Sequence, residues 1–294
     1  MKLSTPQTTV QPMKLAIASG KGGTGKTTLA VALAQACLGP VHLLDCDVEE
    51  PNSHLFLTPH FGKKQAVTVA VPQINESLCN HCGQCADFCQ FNAIVALPKQ
   101  TMIFSELCHS CGGCVQICPT SALTETDKKV GTIERGQCDH ITLIKGTMDV
   151  GQAMSPPVIR AVKKQFDPNY LTIVDCPPGT SCPMITAVRD ADFVLLVTEP
   201  TPFGLHDLTL AVETLRQLKL PFGVVLNRSD IGDQGVVNYC RQEPIPIMLQ
   251  IPDDREVAVA YSRGKGLLDA LPHLKPQLQR LLNTISQRQH GGQR

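Results

Sequence analysis

Tryptophan is absent from this 294-residue chain, and aromatic residues make up only 4% of it. Single-stranded nucleic acids are gripped by stacking bases on aromatic rings, so no such platform is expected. An excess of charge is also lacking: Lys+Arg and Asp+Glu both total 26, a formal net charge of zero. Without a basic field, nothing draws the chain to a phosphate backbone, and nucleic acid is not expected as a partner. No apolar run approaches the ~20 residues needed to span a bilayer. Residues 1–12, MKLSTPQTTVQP, hold no apolar core of the kind a secretory leader carries. Together these absences lead us to expect a cytoplasmic protein with reduced thiols.

Cysteine, by contrast, is abundant, with 14 residues. In a reducing compartment, clustered cysteines are metal ligands rather than disulfide partners. One run reads Cys79-x2-Cys82-x2-Cys85-x3-Cys89 and a second reads Cys108-x2-Cys111-x2-Cys114-x3-Cys118-Pro119. The second begins 29 positions after the first, and LCNHCGQCADFCQFNAI aligns with LCHSCGGCVQICPTSAL. This is the bacterial ferredoxin spacing, in which the fourth cysteine of each run ligates the other cluster. It predicts one [4Fe–4S] cluster on Cys79, Cys82, Cys85 and Cys118, and another on Cys89, Cys108, Cys111 and Cys114. Zinc sites also use C-x2-C pairs, but duplicated, crossing four-cysteine runs are far more specific to clusters. His81 and His109 are expected to be solvated loop residues. The first run ends Cys89-Gln90 rather than Cys-Pro, which keeps the ligand but alters stiffness and hydrogen bonding near the second cluster. Of the other cysteines, Cys37 and Cys240 fall in helical stretches and are expected in the core. Cys46, Cys176 and Cys182 fall in or near two acidic motifs, either as packing or as a transient metal or redox site.

Outside the cysteine runs the chain alternates strand and helix. Lys14–Gly20 (KLAIASG), Val41–Asp47 (VHLLDCD), Leu171–Asp175 (LTIVD), Asp192–Glu199 (DFVLLVTE), Phe222–Asn227 (FGVVLN) and Ile245–Ile251 (IPIMLQI) read as strands. They are Leu-rich or β-branched with little alternation, as in parallel strands buried on both faces. Helical composition covers Thr27–Leu38 and the stretches 155–167, 205–219 and 273–288, and a hairpin is expected over 130–145 with Gly136 in its turn. The pattern predicts an α/β, doubly wound, mostly parallel sheet over 13–71 and 128–288. A ferredoxin-like α+β module over 72–127 interrupts it, in the loop after the second strand, and residues 1–12 and 289–294 are expected to be flexible. In the last helix Leu274, Leu278, Leu281, Leu282 and Ile285 form an apolar stripe flanked by Lys275, Arg280 and Arg288. We expect it to cover the sheet rather than a membrane.

Gly20-Lys21-Gly22-Gly23-Thr24-Gly25-Lys26-Thr27 fits G-x-x-x-x-G-K-[ST] between a predicted strand and a predicted helix. Its glycines let backbone N–H groups curl round phosphate oxygens, and the helix N-terminus adds positive potential. Lys26 is expected to bridge the β- and γ-phosphates and Thr27 to hold Mg²⁺.

The stretch Lys21–Thr28 (KGGTGKTT) resembles the deviant phosphate loop of the MinD/ParA/Mrp ATPases, and the whole chain resembles members of that superfamily with an inserted two-cluster ferredoxin domain. The resemblance implies ATP and ADP as ligands, with Thr28 completing the loop. It implies a homodimer that sandwiches the nucleotides, in which Lys21 reaches the partner's phosphates. It makes Asp47 the switch I aspartate that orients the attacking water and joins Thr27 and Asp175 in the Mg²⁺ site, beside Asp45. In Asp175-Cys176-Pro177-Pro178-Gly179-Thr180 it makes Asp175 a carboxylate that bonds a Mg²⁺ water. Asn227 and Arg228, and Pro252 and Asp253, resemble the adenine-side loops. The Mrp-type carriers hold a bridging cluster on a C-x-x-C pair, and no such pair stands outside the two runs here. The resemblance further implies a Mg-dependent ATPase whose nucleotide state is coupled to the two clusters, and three uses of that coupling follow: metal–sulfur cluster assembly or metalloenzyme maturation for an unidentified client, ATP-gated electron donation, or a spatial switch with redox-sensing clusters.

Overall fold

The computed structural model describes residues 11–291, so the termini read as flexible lie largely outside the described residues, while residues 289–291 continue the last helix. Among the described residues the strands are β1 (Lys14–Ala18), β2 (Val41–Asp45), β3 (His60–Phe61), β4 (Gln65–Ile74), β5 (Ile94–Leu97), β6 (Gln100–Ile103), β7 (Leu123–Cys138), β8 (Ile141–Met148), β9 (Leu171–Asp175), β10 (Phe193–Thr198), β11 (Phe222–Asn227) and β12 (Ile247–Ile251). Ten of them form one sheet, ordered β12-β11-β10-β1-β9-β2-β8-β7-β3, with β4 also paired to β7. From β12 to β8 the pairings are parallel; β7, β3 and β4 add an antiparallel edge.

Helices cover both faces, because the parallel strands are apolar on both. α1 (Lys26–Ala36), α10 (Leu267–Ala270) and α11 (Lys275–Gly291) close one side. There Leu274, Leu278, Leu281, Leu282 and Ile285 are all buried, so the expected stripe packs inward. α5 (Pro156–Lys163), α6 (Cys182–Val188), α7 (Pro202–Gln217) and α8 (Gly235–Gln242) close the other. α2 (His54–Leu57) and α9 (Arg255–Tyr261) lie near the C-terminal ends of the strands. No helix among the described residues is long and apolar enough to cross a membrane.

Two expectations change. The turn of the β7–β8 hairpin is at Asp139 (φ 49°) and His140, not at Gly136. Gly136 sits within β7, where an added Cβ would lie 2.8 Å from the Phe61 ring and 3.0 Å from Pro59; it is glycine for close packing, not for a bend. The cysteine segment does not hang from a loop. It joins β4 to β7, which pair antiparallel from Gln65↔Ile133 to Ile74↔Leu123 with one bulge, forming a two-stranded arm. The boundaries read at 72 and 127 both fall inside these strands.

Beyond the arm, α3 (Gln84–Phe88), the β5–β6 hairpin and α4 (Gly113–Gln116) form a duplicated unit. Left-handed backbone recurs at the same offset: His81 and Ser110 (φ 55° and 56°), Gly83 and Gly112 (79° and 72°), Asn92 and Ser121 (52° and 53°). The bond from the Asn75 N–H to the Ala122 carbonyl is matched by that from Phe104 to Ala93, both 2.8 Å. The sequence repeat is therefore a repeat of conformation.

Candidate functional site

The P-loop leaves β1 and turns through Gly23 (φ 76°) and Gly25 (φ 95°) into α1. Gly25 is required twice over: its backbone is left-handed, and an added Cβ would lie 2.6 Å from Asn227 Nδ2. That amide donates to the Thr24 carbonyl at 2.9 Å, tying the end of β11 to the loop. A cavity of about 520 Å³ opens in front of the α1 N-terminus. It brings together Gly22, Gly23, Gly25, Lys26, Thr27, Thr28, Asp47, Asn227, Arg228, Pro252 and Asp253 from the sequence reading. Gly20, Lys21, Thr24 and Asp175 are not on its wall. Gly20 is pressed against α7, where an added Cβ would collide with the Asp207 carbonyl at 2.2 Å, and Lys21 lies at Glu199, 3.5 Å away.

Asp175 lies beneath the cavity, fully buried, next to Asp45 on β2. Its Oδ2 accepts from Thr27 Oγ1 at 2.6 Å and from Ser53 Oγ at 3.5 Å. The Ser53 N–H donates to Asp45 Oδ2 at 3.1 Å. Burial pushes the Asp175 carboxyl well up, helped by the Asp45 charge and opposed by the Thr27 bond. Burial likewise raises Asp45 to about 7 against the two Ser53 hydrogen bonds. Asp47 is raised to about 6, again by burial first, with Lys26 pulling it back. Lys26, itself buried, is pushed down by desolvation despite Asp175 and Asp47 nearby. Three acids, Asp45, Asp47 and Asp175, thus gather round one lysine. The other oxygens, Asp45 Oδ1 and Asp175 Oδ1, are buried without a hydrogen-bond partner among the described residues. Orphaned buried carboxylate oxygens beside a threonine hydroxyl are the chemistry that suits a hard, oxygen-seeking cation, so the residues fit Mg²⁺.

In the cysteine module the two predicted sets gather separately. Cys89, Cys108, Cys111 and Cys114 line a cavity of about 420 Å³. Cys79, Cys82, Cys85 and Cys118 line another. The crossing is thus present in the side chains: Cys85 feels the charge of Cys118 as well as Cys79. All eight are free thiols. The backbone N–H groups of His81, Ser110 and Ala93 point at Cys79, Cys108 and Cys89 Sγ, each at 3.4 Å. At Cys118, burial is outweighed by hydrogen bonds from Thr120 and the Leu123, Thr120 and Ala122 backbone, which pull the thiol down. Cys114 is pushed up to about 11 by burial and by Cys108 and Cys111; a bound cation acts in the opposite sense, by stabilising the thiolate. Four-thiol sets with N–H groups aimed at sulfur fit iron–sulfur clusters. His81 Nδ1 lies 3.6 Å from Cys79 Sγ, and its ring with Cys79 and Glu76 forms a group able to hold a metal ion. His109 instead stacks on Phe91 at 3.6 Å. Cys46 and Cys176 are fully buried and raised by burial, while Cys182 is exposed at the start of α6.

Three residues escaped the sequence reading. Ser53 joins Asp45 to Asp175, Glu199 pairs with Lys21 and Arg228, and Tyr261 hydrogen-bonds Thr28 at the cavity wall. Only Glu199 carried a signal, as an acid ending an apolar strand.

A family model described as the CobQ/CobB/MinD/ParA nucleotide binding domain matches residues 15–268. An uncharacterised protein of Methanocaldococcus jannaschii is 34% identical over 281 residues, covering 94% of this chain and 97% of its own length. A cytosolic Fe-S cluster assembly factor NUBP2 homologue of Nematostella vectensis is 23% identical over 286 residues, covering 87% and 84%. The septum site-determining protein MinD of Pyrococcus horikoshii, solved with Mg-ADP, superposes with a TM-score of 0.53 at 21% identity, covering 94% of this chain and 95% of that one. With its P-loop cavity and matching parallel sheet, the chain belongs to the CobQ/CobB/MinD/ParA nucleotide-binding family.

Proposed function

We propose that the protein is a Mg-dependent ATPase, working as a nucleotide-sandwich homodimer, whose nucleotide state is coupled to two [4Fe–4S] clusters. Its service is metal–sulfur cluster assembly or metalloenzyme maturation. One observation carries the coupling. The Val48 carbonyl, next to Asp47, accepts from the Met148 N–H at 2.8 Å. Met148 pairs with Gly131 on β7, and Asp149 N–H bonds the Val130 carbonyl at 3.0 Å. Val48 is buried against Gly146, where an added Cβ would lie 2.7 Å from Val48 Cγ1. The segment after the switch I aspartate is therefore bonded to the base of the arm that carries the cysteine module.

In hydrolysis Lys26 and the loop N–H groups hold the phosphates, Thr27 and Asp175 supply the cation site, and Lys21 comes from the partner subunit. Asp47 orients the attacking water, and its ionised form is the competent one. Ser53 holds Asp45 and Asp175 in register. When bound, the clusters supply one-electron chemistry or metal–sulfur units; the chain's part is to anchor them on Cys79, Cys82, Cys85 and Cys118, and on Cys89, Cys108, Cys111 and Cys114. The Fe–S assembly factor among the relatives supports the maturation reading. ATP-gated electron donation is favoured instead by one feature: both cysteine sets are complete, which suits retention over release.

Lys26→Ala tests the core: ATP hydrolysis should vanish while the visible absorbance of the clusters persists. Loss of absorbance with intact hydrolysis would overturn the division of labour. Incubating the cluster-loaded protein with an apo-acceptor, with and without MgATP, separates the two uses. Iron leaving the module supports delivery, and acceptor reduction with iron retained supports electron donation.

A further inference from the structure

Lys21 does not face the nucleotide cavity of its own protomer. Its Nζ lies 3.5 Å from Glu199 Oε2, while Arg228 Nη1 lies 3.1 Å from Glu199 Oε1. Arg228 Nε lies 3.3 Å from Asp253 Oδ1 in turn. One carboxylate thus bridges the phosphate loop and the base-side loop. The Glu199 side chain is 11% exposed, against 31% for Lys21 and 51% for Arg228, so the acid is the fixed member of the group. Both sides of the Lys21 pair are held by tight backbone packing on α7. Gly20 meets the Asp207 carbonyl, and Gly204 meets the Glu199 carbonyl, each 2.2 Å from an added Cβ.

We propose that Glu199 is a positioning residue that stores Lys21 on its own protomer until a second, nucleotide-loaded copy draws it away. This inference rests on the reading of Lys21 as a cation that acts in trans. A triphosphate offers Lys21 several anionic oxygens, whereas Glu199 offers one carboxylate already shared with Arg228. The exchange strands no buried charge, because Arg228 stays paired to Glu199 when Lys21 leaves. Glu199 therefore makes ATP-driven association require a higher protein concentration and keeps Lys21 out of reach in the lone protomer.

Glu199→Gln keeps the shape and removes the charge. With a non-hydrolysable ATP analogue and Mg²⁺, the protein concentration for half-maximal dimer, read by analytical ultracentrifugation, should fall roughly fivefold, about what the two partly exposed ion pairs released per symmetric dimer supply together. A second measurement needs no dimer. Acylation of the nucleotide-free protein with an amine-reactive ester, read by mass spectrometry, should modify Lys21 faster in Glu199→Gln, with Lys14 as an internal standard. An unchanged or raised dimerisation concentration, or unchanged Lys21 labelling, overturns the proposal. If wild type neither dimerises with ATP nor hydrolyses it, the functional reading has failed. If it does both and Glu199→Gln changes neither readout, only the role of Glu199 has failed.

Discussion

Asp45→Asn should flatten the pH dependence of stability in the nucleotide-free protein. Asp45 is fully buried beside Asp175, and burial lifts its carboxyl from 3.8 to about 7. The native chain then holds this proton more tightly than the unfolded chain does. Its contribution to stability is complete below about pH 4 and is lost as pH climbs through about 7. A displacement of that size amounts to at most about 4 kcal/mol. Asp175 is raised by the same burial and adds to the loss. Asparagine cannot ionise and still offers an oxygen to the Ser53 N–H. Removing the Asp45 charge also relieves Asp175, for which that charge is a cause of the upward shift. The assay is anaerobic urea unfolding at pH 5 and pH 8, without nucleotide and followed by far-UV circular dichroism, since no tryptophan is present to report. Wild type should lose midpoint by about 1 M or more between the two conditions at typical urea slopes; Asp45→Asn should lose distinctly less. Equal losses in the two proteins would refute the argument.

Two further outcomes follow from the geometry. Gly25→Ala places a methyl group 2.6 Å from Asn227 Nδ2 at φ 95°, so ATP binding measured by calorimetry should weaken at least tenfold, with a stability cost of about 1–3 kcal/mol. Cys118→Ser should remove the same cluster as Cys79→Ser, and Cys89→Ser the same one as Cys108→Ser. Electron paramagnetic resonance of the reduced variants checks this, and matched losses within a single run would refute the crossing.

The phosphate site was legible in the sequence because its geometry is local. A strand, a glycine loop and a helix put Lys26 and Thr27 in place within one short segment. The cysteine pairing was legible for a related reason: a duplicated motif carries its own symmetry, and the Ile94↔Ile103 pairing of the hairpin repeats the Leu123↔Ile74 pairing of the arm. Register between distant strands was not legible. Nothing near Ser53 in sequence says that it will meet Asp175, 122 positions away. Gly136 misled because glycine serves both turns and close contacts, and only the position of Phe61 tells which applies. The arm was missed although Val67, Val69 and Val71 alternate along β4, because nothing in that run names β7, on the far side of the cysteine motifs, as its partner.

The paired arm has an architectural consequence. β4 and β7 leave and re-enter the host sheet side by side, so the nucleotide-binding domain meets the cysteine module as if it were the far end of one long hairpin. A single-chain tether would swivel and dissipate any displacement at its root. Two hydrogen-bonded strands act instead as a stiff lever, whose tip swings farther than its base. A small shift at Val48 and Met148 would then be read out as a larger sweep of the thiol cavities, with a direction set by the twist of the ribbon.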